Sequence, residues 1–342
     1  MKTFASILLL SVIIAPATLR GQSTSKSGTA AATFLEIPVG ARGVGVGGAF
    51  VSLANDVTAL YWNAGAIARF QQSDANVSHT NWIGGTKYDF AGLVLPLGTF
   101  GTIGFSFIQL SMDDMKVTTV DQPEGTGEYF SAGDMAIGVS FSRQLSDRFS
   151  VGFTGKYIQE TIWHEQASAF ALDVGTVFQT DLFAGMTIGA SLSNFGTPMK
   201  MSGSDGRQFV RIDPTKLGSN GQIPTDIEYD SWDLPLLFQL GLSSTPVKSD
   251  DFRWVVAVDA LHPSDNKESV NVGTELGYRN FLFLRGGYAE LFLPDHEGGL
   301  CLGFGLTSDV LATETFHVRF DYAYRDMGRL EGIHVISFGV QF

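Results

Sequence analysis

Apolar residues occupy every second position in one segment after another from residue 74 to the carboxy terminus. Val318, Phe320, Tyr322 and Tyr324 alternate with His317, Arg319, Asp321, Ala323 and Arg325. Leu300, Leu302, Phe304 and Leu306 alternate with Cys301, Gly303 and Gly305. Leu236, Phe238, Leu240 and Leu242 alternate with Gln239, Gly241 and Ser243, and Phe170, Leu172 and Val174 with Asp173 and Gly175. Segments 88–95, 103–107 and 135–141 read the same way. The chain closes on Ile336, Phe338, Val340 and Phe342 against Val335, Ser337, Gly339 and Gln341. A period of two predicts strands with one apolar face. When nearly every strand carries that face, the predicted architecture is a barrel with its apolar side outward. The expected fold is all-β: a transmembrane antiparallel β-barrel of about 14 strands over residues 74–342, with an amino-terminal plug segment in the lumen. A terminal aromatic on such a strand, Phe342, looks like the assembly signal of bacterial outer-membrane barrels, which implies the barrel-assembly machinery as a partner.

The connections sort into two classes. Short turns are expected near 98–99, 146–147, 180–181, 248–251, 279–280 and 308–313. Longer loops fall between them, at 111–133, 163–168, 196–233, 261–268, 290–298 and 324–331. Bacterial barrels keep short turns in the periplasm and long loops outside. An even strand count then leaves both termini on the periplasmic side.

The amino terminus changes the picture of the compartment. Met1-Lys2 precedes an apolar run from Phe4 to Ala17. Ala15-Pro16-Ala17 offers a small-x-small cleavage site and Gly21 a second one. Residues 1–21 are therefore expected to be a signal peptide, 22–73 the plug and 74–342 the barrel. The chain is 44% hydrophobic, yet beyond the signal it holds no run near the roughly 18 apolar residues of a spanning helix. The 40 glycines suit a crowded lumen and the 27 phenylalanines a lipid-facing wall. A net charge of −13 argues against nucleic acid as a partner. The lone Cys301 excludes an internal disulfide and a thiolate cluster.

Charged residues also fall on the inward parity: Asp173, Arg253, Asp259, Glu275, Arg285, Arg319, Asp321 and Arg325. They either form an ion-pair network that only stabilises the wall or dock a plug. Residues 28–72 do not alternate and are the candidate plug, with Arg42, Gly45, Gly47, Gly48, Asp56, Tyr61, Trp62 and Asn63 as its key positions. Gly43-Val-Gly-Val-Gly-Gly48 matches a dinucleotide-binding pattern in form only. Without a preceding strand or a βαβ series, the glycines read as close backbone packing against the wall. His164-Glu165 and Asp295-His296-Glu297 lack a third ligand at helical spacing, so no metal site is assigned. No serine has a nucleophile-elbow context. No catalytic residue and no cofactor are assigned, and the chain is not read as an enzyme.

Several blocks carry a family resemblance. Gly28-Thr-Ala-Ala-Ala-Thr-Phe-Leu-Glu-Ile-Pro-Val-Gly-Ala-Arg42, Gly47-Gly-Ala-Phe-Val-Ser-Leu-Ala-Asn-Asp56 and Ala59-Leu-Tyr-Trp-Asn63 resemble the amino-terminal signature of the PorV/PorQ family, barrels similar to the fatty-acid transporter FadL. Phe90-Ala-Gly-Leu-Val-Leu-Pro-Leu-Gly98, Val258-Asp-Ala-Leu-His-Pro-Ser-Asp265 and Phe283-Leu-Arg-Gly-Gly-Tyr288 extend the match. The family's Asn-Pro-Ala-Gly reads Asn63-Ala-Gly-Ala here, without the proline. The resemblance implies a bacterial outer-membrane barrel of a type IX-like secretion system. Such a barrel binds carboxy-terminal sorting domains of secreted cargo and passes them to a surface-attachment complex. The alternative it implies is a FadL-type channel for hydrophobic small molecules such as long-chain fatty acids. Under the first reading the outer loops form a cup, and its exposed apolar contacts are expected to be Met199, Met201, Phe209, Leu291, Phe292 and Leu293.

Overall fold

The computed structural model describes residues 28–211, 215, 222–294, 296–308 and 316–342. The expected signal peptide, the first residues of the expected plug (22–27), Asp295 and most of the turn at 308–313 lie outside the described residues.

The main sheet has fifteen members, one of them the two-residue loop piece Ser202–Gly203, which leaves fourteen wall strands. They are β1 (Asp74–Asn81), β2 (Lys87–Pro96), β3 (Thr102–Ser111), β4 (Ala132–Ser146), β5 (Phe149–Ile162), β6 (Glu165–Gln179) and β7 (Thr187–Gly196). The second seven are β8 (Leu237–Lys248), β9 (Phe252–Pro263), β10 (Ser269–Tyr278), β11 (Leu282–Leu291), β12 (Leu300–Thr307), β13 (His317–Asp326) and β14 (Gly332–Gln341). Every neighbouring pair is antiparallel. The first strand meets the last from Asp74↔Gln341 to Asn81↔His334, so the sheet closes and leaves no free edge. The backbone N–H of Phe342 donates to the carbonyl of Ser73 at that seam (2.9 Å).

Alternation does in the wall what the sequence predicts. Val77, Phe105, Val139, Phe153, Leu240, Leu302 and Phe338 stand outward and exposed, while Asn76, Ser140, Thr154, Gln239, Asn271 and Ser337 point in and are buried. An apolar surface of this extent is a surface for hydrocarbon rather than water.

Two expectations need correction. In β2 the even positions Tyr88, Phe90 and Val94 point inward and are buried, leaving Ala91, Leu93 and Leu95 outside. Both faces of this strand are apolar, because it stands between lipid-side solvent exclusion and an apolar filling. The expected long loop at 163–168 is a tight hairpin. The β5–β6 ladder runs to Ile162↔Glu165, leaving only Trp163 and His164 to turn, with Trp163 at φ 52°. At the opposite end, Arg279 and Asn280 both take φ 51° beneath a Phe281 N–H to Tyr278 carbonyl bond, as a type I′ hairpin turn requires.

Residues 28–70 lie against the inward face of the wall as a chain of short pieces. These are a 3₁₀ turn (Thr33–Glu36), α1 (Ala41–Gly45), α2 (Ala59–Trp62) and a second 3₁₀ stretch (Ala64–Arg69). The sequence cannot sustain a longer helix here: Pro38 and the glycine-rich run from Gly40 to Gly48 break it repeatedly. Gly47 sits at φ 69°, and a Cβ on it would lie 2.6 Å from the backbone nitrogen of Tyr288. The wall reciprocates: a Cβ on Gly273 would fall 2.2 Å from the Val46 carbonyl oxygen, and one on Gly287 2.4 Å from the Val46 carbonyl carbon. The GxGxxG-like run is thus a backbone-on-backbone contact.

Candidate functional site

The lumen has two chemically different sides, and the inner segment touches both. One side is charged. Glu275 of β10, fully buried, receives Nε and Nη2 of Arg42 (2.8 and 3.1 Å), Nε of Arg285 (2.8 Å) and Nη2 of Arg253 (2.8 Å). Arg285 reaches on to Asp321 (2.6 Å), and Arg319 grips Asp74 (2.6 Å). Arg42 also pairs with Asp56 (3.2 Å) and bonds Asn55, and its guanidinium stacks 5.3 Å from the Phe50 ring centre. Four cations (Arg42, Arg253, Arg285, Arg319) therefore face four anions (Asp56, Asp74, Glu275, Asp321), and the cluster is neutral as a set. Neutrality matters because an unpaired buried charge is far costlier than a paired one. Burial pulls the Arg42 pKa down, but Glu275 and Asp56 more than offset this and hold the guanidinium charged. For Asp56, burial pushes up, and Arg42 together with Arg319 holds the carboxyl below its ordinary range.

Backbone contacts complete this side. The N–H of Val51 donates to Asp259 Oδ2 (2.9 Å), and the N–H of Ala41 to Ser337 Oγ (2.8 Å). All eight predicted lumen charges point inward. Asp173 bonds Lys156 (2.9 Å) and the Asn194 N–H (2.8 Å), at a register break between β6 and β7. Arg325 reaches Glu290 (2.7 Å) near the long-loop mouth.

The other side is apolar. Phe34, Leu35, Val39, Val57, Leu60 and Ile67 of the inner segment form one buried cluster with wall residues Tyr88, Phe90, Val94, Ile108 and Ile158 of β2, β3 and β5. A Cβ on Gly104 would fall 2.2 Å from Leu60 Cδ2, and one on Gly92 2.6 Å from Val57 Cγ1, so the filling is tight. Directional bonds are few across this contact: the Tyr88 hydroxyl donates to the Ile37 carbonyl (3.0 Å), and Glu160 of β5 accepts from the Ala32 N–H (2.8 Å). Of the remaining key positions, Trp62 Nε1 bonds the Val39 carbonyl (3.0 Å), and Tyr61 Oη bonds the Leu35 carbonyl (3.1 Å). Asn63 bridges the segment to the wall, donating to the carbonyls of Val51 and Thr176 (3.0 Å each) while its Oδ1 caps the Gly65 N–H. Gly45 approaches Gly303, and Gly48 approaches Asn271. The proline-free turn is thus fixed by a buried amide.

The loop residues divide. Phe292 and Phe209 are 82% and 67% exposed. Met199, at 2%, is buried in the apolar cluster, and Met201 packs on it half-buried, so neither belongs to an exposed cup. Leu291 ends β11 and Leu293 is half-buried; Glu290 and Phe292 take positive φ (58° and 68°) at a register break between β10 and β11. The candidate metal pairs are used as loop clamps. His164 bonds Asp205 (2.8 Å), Glu165 accepts from the N–H of Asp205 (2.8 Å), and His296 bonds Glu290 (3.0 Å). Among the described residues no group of three His, Cys, Asp or Glu side chains is arranged to hold a metal ion.

Sequence reading missed the apolar side. Its signal was present, because 88–95 is apolar on both parities (Tyr88, Phe90, Val94; Ala91, Leu93, Leu95). It also missed Glu36, which burial and then the nearby Asp265 push up to about 7 at the long-loop mouth.

Comparison with known proteins places this architecture. The model of an uncharacterised protein family, UPF0164, matches residues 9–154. No curated protein matches. Among solved structures, the chain is similar to a Pseudomonas aeruginosa FadL homologue, at TM-score 0.52 and 12% identity over 89% of this chain and 98% of that one. It is similar to the Ralstonia pickettii toluene transporter TbuX (TM-score 0.53, 10% identity, 89% and 97% covered). The Pseudomonas putida toluene transporter TodX is matched at TM-score 0.53 and 12% identity, over the same shares of the two chains. The shared fold is the closed barrel of FadL type.

Proposed function

We propose that this chain is an outer-membrane barrel that passes hydrophobic small molecules, with residues 22–73 as its stopper and 1–21 as its export signal. The observation that carries this reading is the segregation of the lumen. A stopper held by ion pairs on one side and by apolar contact on the other has a fixed side and a yielding side. Ion pairs and hydrogen bonds are lost once their geometry fails, whereas apolar contact is non-directional and tolerates sliding. A hydrophobic solute can replace Leu60 or Val57 against Tyr88 and Phe90 at little cost; it cannot replace Arg42 at Glu275. The route therefore runs along β2, β3 and β5. The full-length likeness to barrels described as toluene transporters supports the reading, as does the apolar outer band, which suits the lipid bilayer of the outer membrane.

A covalent lock tests the yielding side. A Cβ on Gly92 comes close enough to Val57 for the double variant Val57→Cys/Gly92→Cys to fall within the roughly 3.5–4.5 Å Cβ separation of a disulfide. Oxidised cells should lose uptake of labelled toluene or long-chain fatty acid, and reductant should restore it. Wild-type uptake by the oxidised, verified cross-link would overturn the reading.

The secretion role implied by the PorV/PorQ resemblance ranks second. It needs apolar loop surface for cargo sorting domains and other secretion-system components, and of six candidate contacts only Phe209 and Phe292 are strongly exposed. Loss of sorting-domain proteins from the cell surface on deletion of the gene, with hydrocarbon uptake intact, would reverse the ranking.

A further inference from the structure

A cavity of about 450 Å³ opens at the short-turn end of the lumen, beneath the inner segment. Its charged lining is unbalanced: Arg42, Arg69 and Arg253 against Asp74 alone, and Asp74 is already gripped by Arg319 (2.6 Å). Arg42 and Arg253 share Glu275. Arg69 is different, because it lies outside the neutral set of four cations and four anions. Its Nη1 donates to the neutral amide oxygen of Gln179 (2.6 Å). Among the described residues, its Nε and Nη2 have no hydrogen-bond partner although both are shielded from solvent, and the same holds for Nε of Arg253 and Oγ of the buried Ser52. Nε and Nη2 together form the side of a guanidinium that matches the two oxygens of a carboxylate or phosphate. Leaving such donors unpaired away from water is costly, so a small turn of the guanidinium toward the cavity and an arriving oxyanion would remove that cost together.

From this geometry we infer that the short-turn-end cavity is an oxyanion-binding site, with Arg69 as its principal ligand and Arg253 and Ser52 as supporting donors. The recognised chemistry is a carboxylate or phosphate group. It comes either from a free periplasmic solute or from the head of an amphiphile whose tail lies toward the apolar side. The site does not depend on the transport reading, since a barrel that passes nothing would still bind the anion. Binding to the purified barrel and uptake by cells can therefore fail separately.

The test is calorimetric titration of the full folded barrel in a neutral maltoside detergent with inorganic phosphate, octanoate and octanol. The wild type should bind at least one of the two anions. Arg69→Gln should weaken that binding about 10- to 100-fold, the usual loss for a charge-assisted bond. Arg69→Lys, which keeps the charge but not the fork, and Ser52→Ala should weaken it less. Arg148→Gln, which removes an exposed cation at the same end of the barrel, should leave it unchanged. Octanoate held at least tenfold tighter than phosphate, with octanol unbound, identifies an amphiphile's head; phosphate held as tightly identifies a free oxyanion. The inference is overturned if the wild type binds neither anion, if Arg69→Gln binds as the wild type does, or if octanol competes equally with octanoate.

Discussion

The two sides of this lumen hold the same inner segment by opposite means. Opposite β9 to β13, contact is made by a fully buried carboxylate with three guanidinium groups around it and by backbone pressed onto glycine. Opposite β2, β3 and β5, it is made mainly by interdigitated apolar side chains, with the Tyr88 hydroxyl bond, an Ala32 N–H bond to Glu160 and the Ala64 backbone on Gly152 among them. The difference teaches where specificity and where mobility reside. The charged side fixes register, because each guanidinium is matched to particular carboxylates and leaving them exposes a buried charge. The apolar side supplies contact area that another apolar body can replace.

The comparison is broken most severely at Glu275. Replacing it by Gln leaves Arg42, Arg253 and Arg285 facing one another without their shared anion. The expected cost is about 3–5 kcal/mol. It should appear as a lower urea midpoint of the folded, heat-modifiable band, and as ion leakage in planar bilayers once Arg42 is released. A stable, non-conducting Glu275→Gln barrel would show that the charged side is not the anchor.

A smaller effect is expected on the other side. Leu60→Ala removes a buried side chain from the tight contact at Gly104 and should cost about 2–4 kcal/mol. Its signature should be the reverse one: faster entry of hydrophobic solutes with no rise in ion conductance, since the cavity it leaves is lined by apolar groups. Equal leakage from Leu60→Ala and Glu275→Gln would erase the distinction between the sides.

The smallest effect concerns the mouth. Glu36 titrates near 7 in the folded barrel against about 4.5 when free, because burial, then Asp265 and Glu290, penalise its ionised form. A raised carboxyl pKa favours the folded arrangement below the free value, and that advantage is lost as pH rises through the folded value. The inner segment should therefore seat more firmly at pH 5 than at pH 8, seen as higher protection of the amides at 33–37 once the intrinsic pH dependence of hydrogen exchange is divided out. Glu36→Gln should remove most of that difference. An unchanged pH dependence in the variant would assign it to another group.

Much of this architecture is written locally. Strand parity in 300–306 and 317–325 and the inward setting of the eight charges follow from a period of two, which any one strand reveals on its own. Turn length does not, and the short turn expected at 180–181 is a seven-residue connection between Gln179 and Thr187. The glycine run at 43–48 announced close backbone approach for the same reason: only glycine omits a Cβ. What the sequence by itself could not determine is which partner each inward residue meets. Arg42 and Glu275 are separated by 233 positions, and their pairing exists only once the barrel closes around the segment. The inward turn of Tyr88 and Phe90, the burial of Met199 and the unpaired edge of Arg69 were likewise decided by tertiary structure. Parity fixes that a side chain faces the lumen or the lipid, but the lumen's content is assembled from strands distant in sequence, and that content decides whether an inward residue should be a charge or a ring.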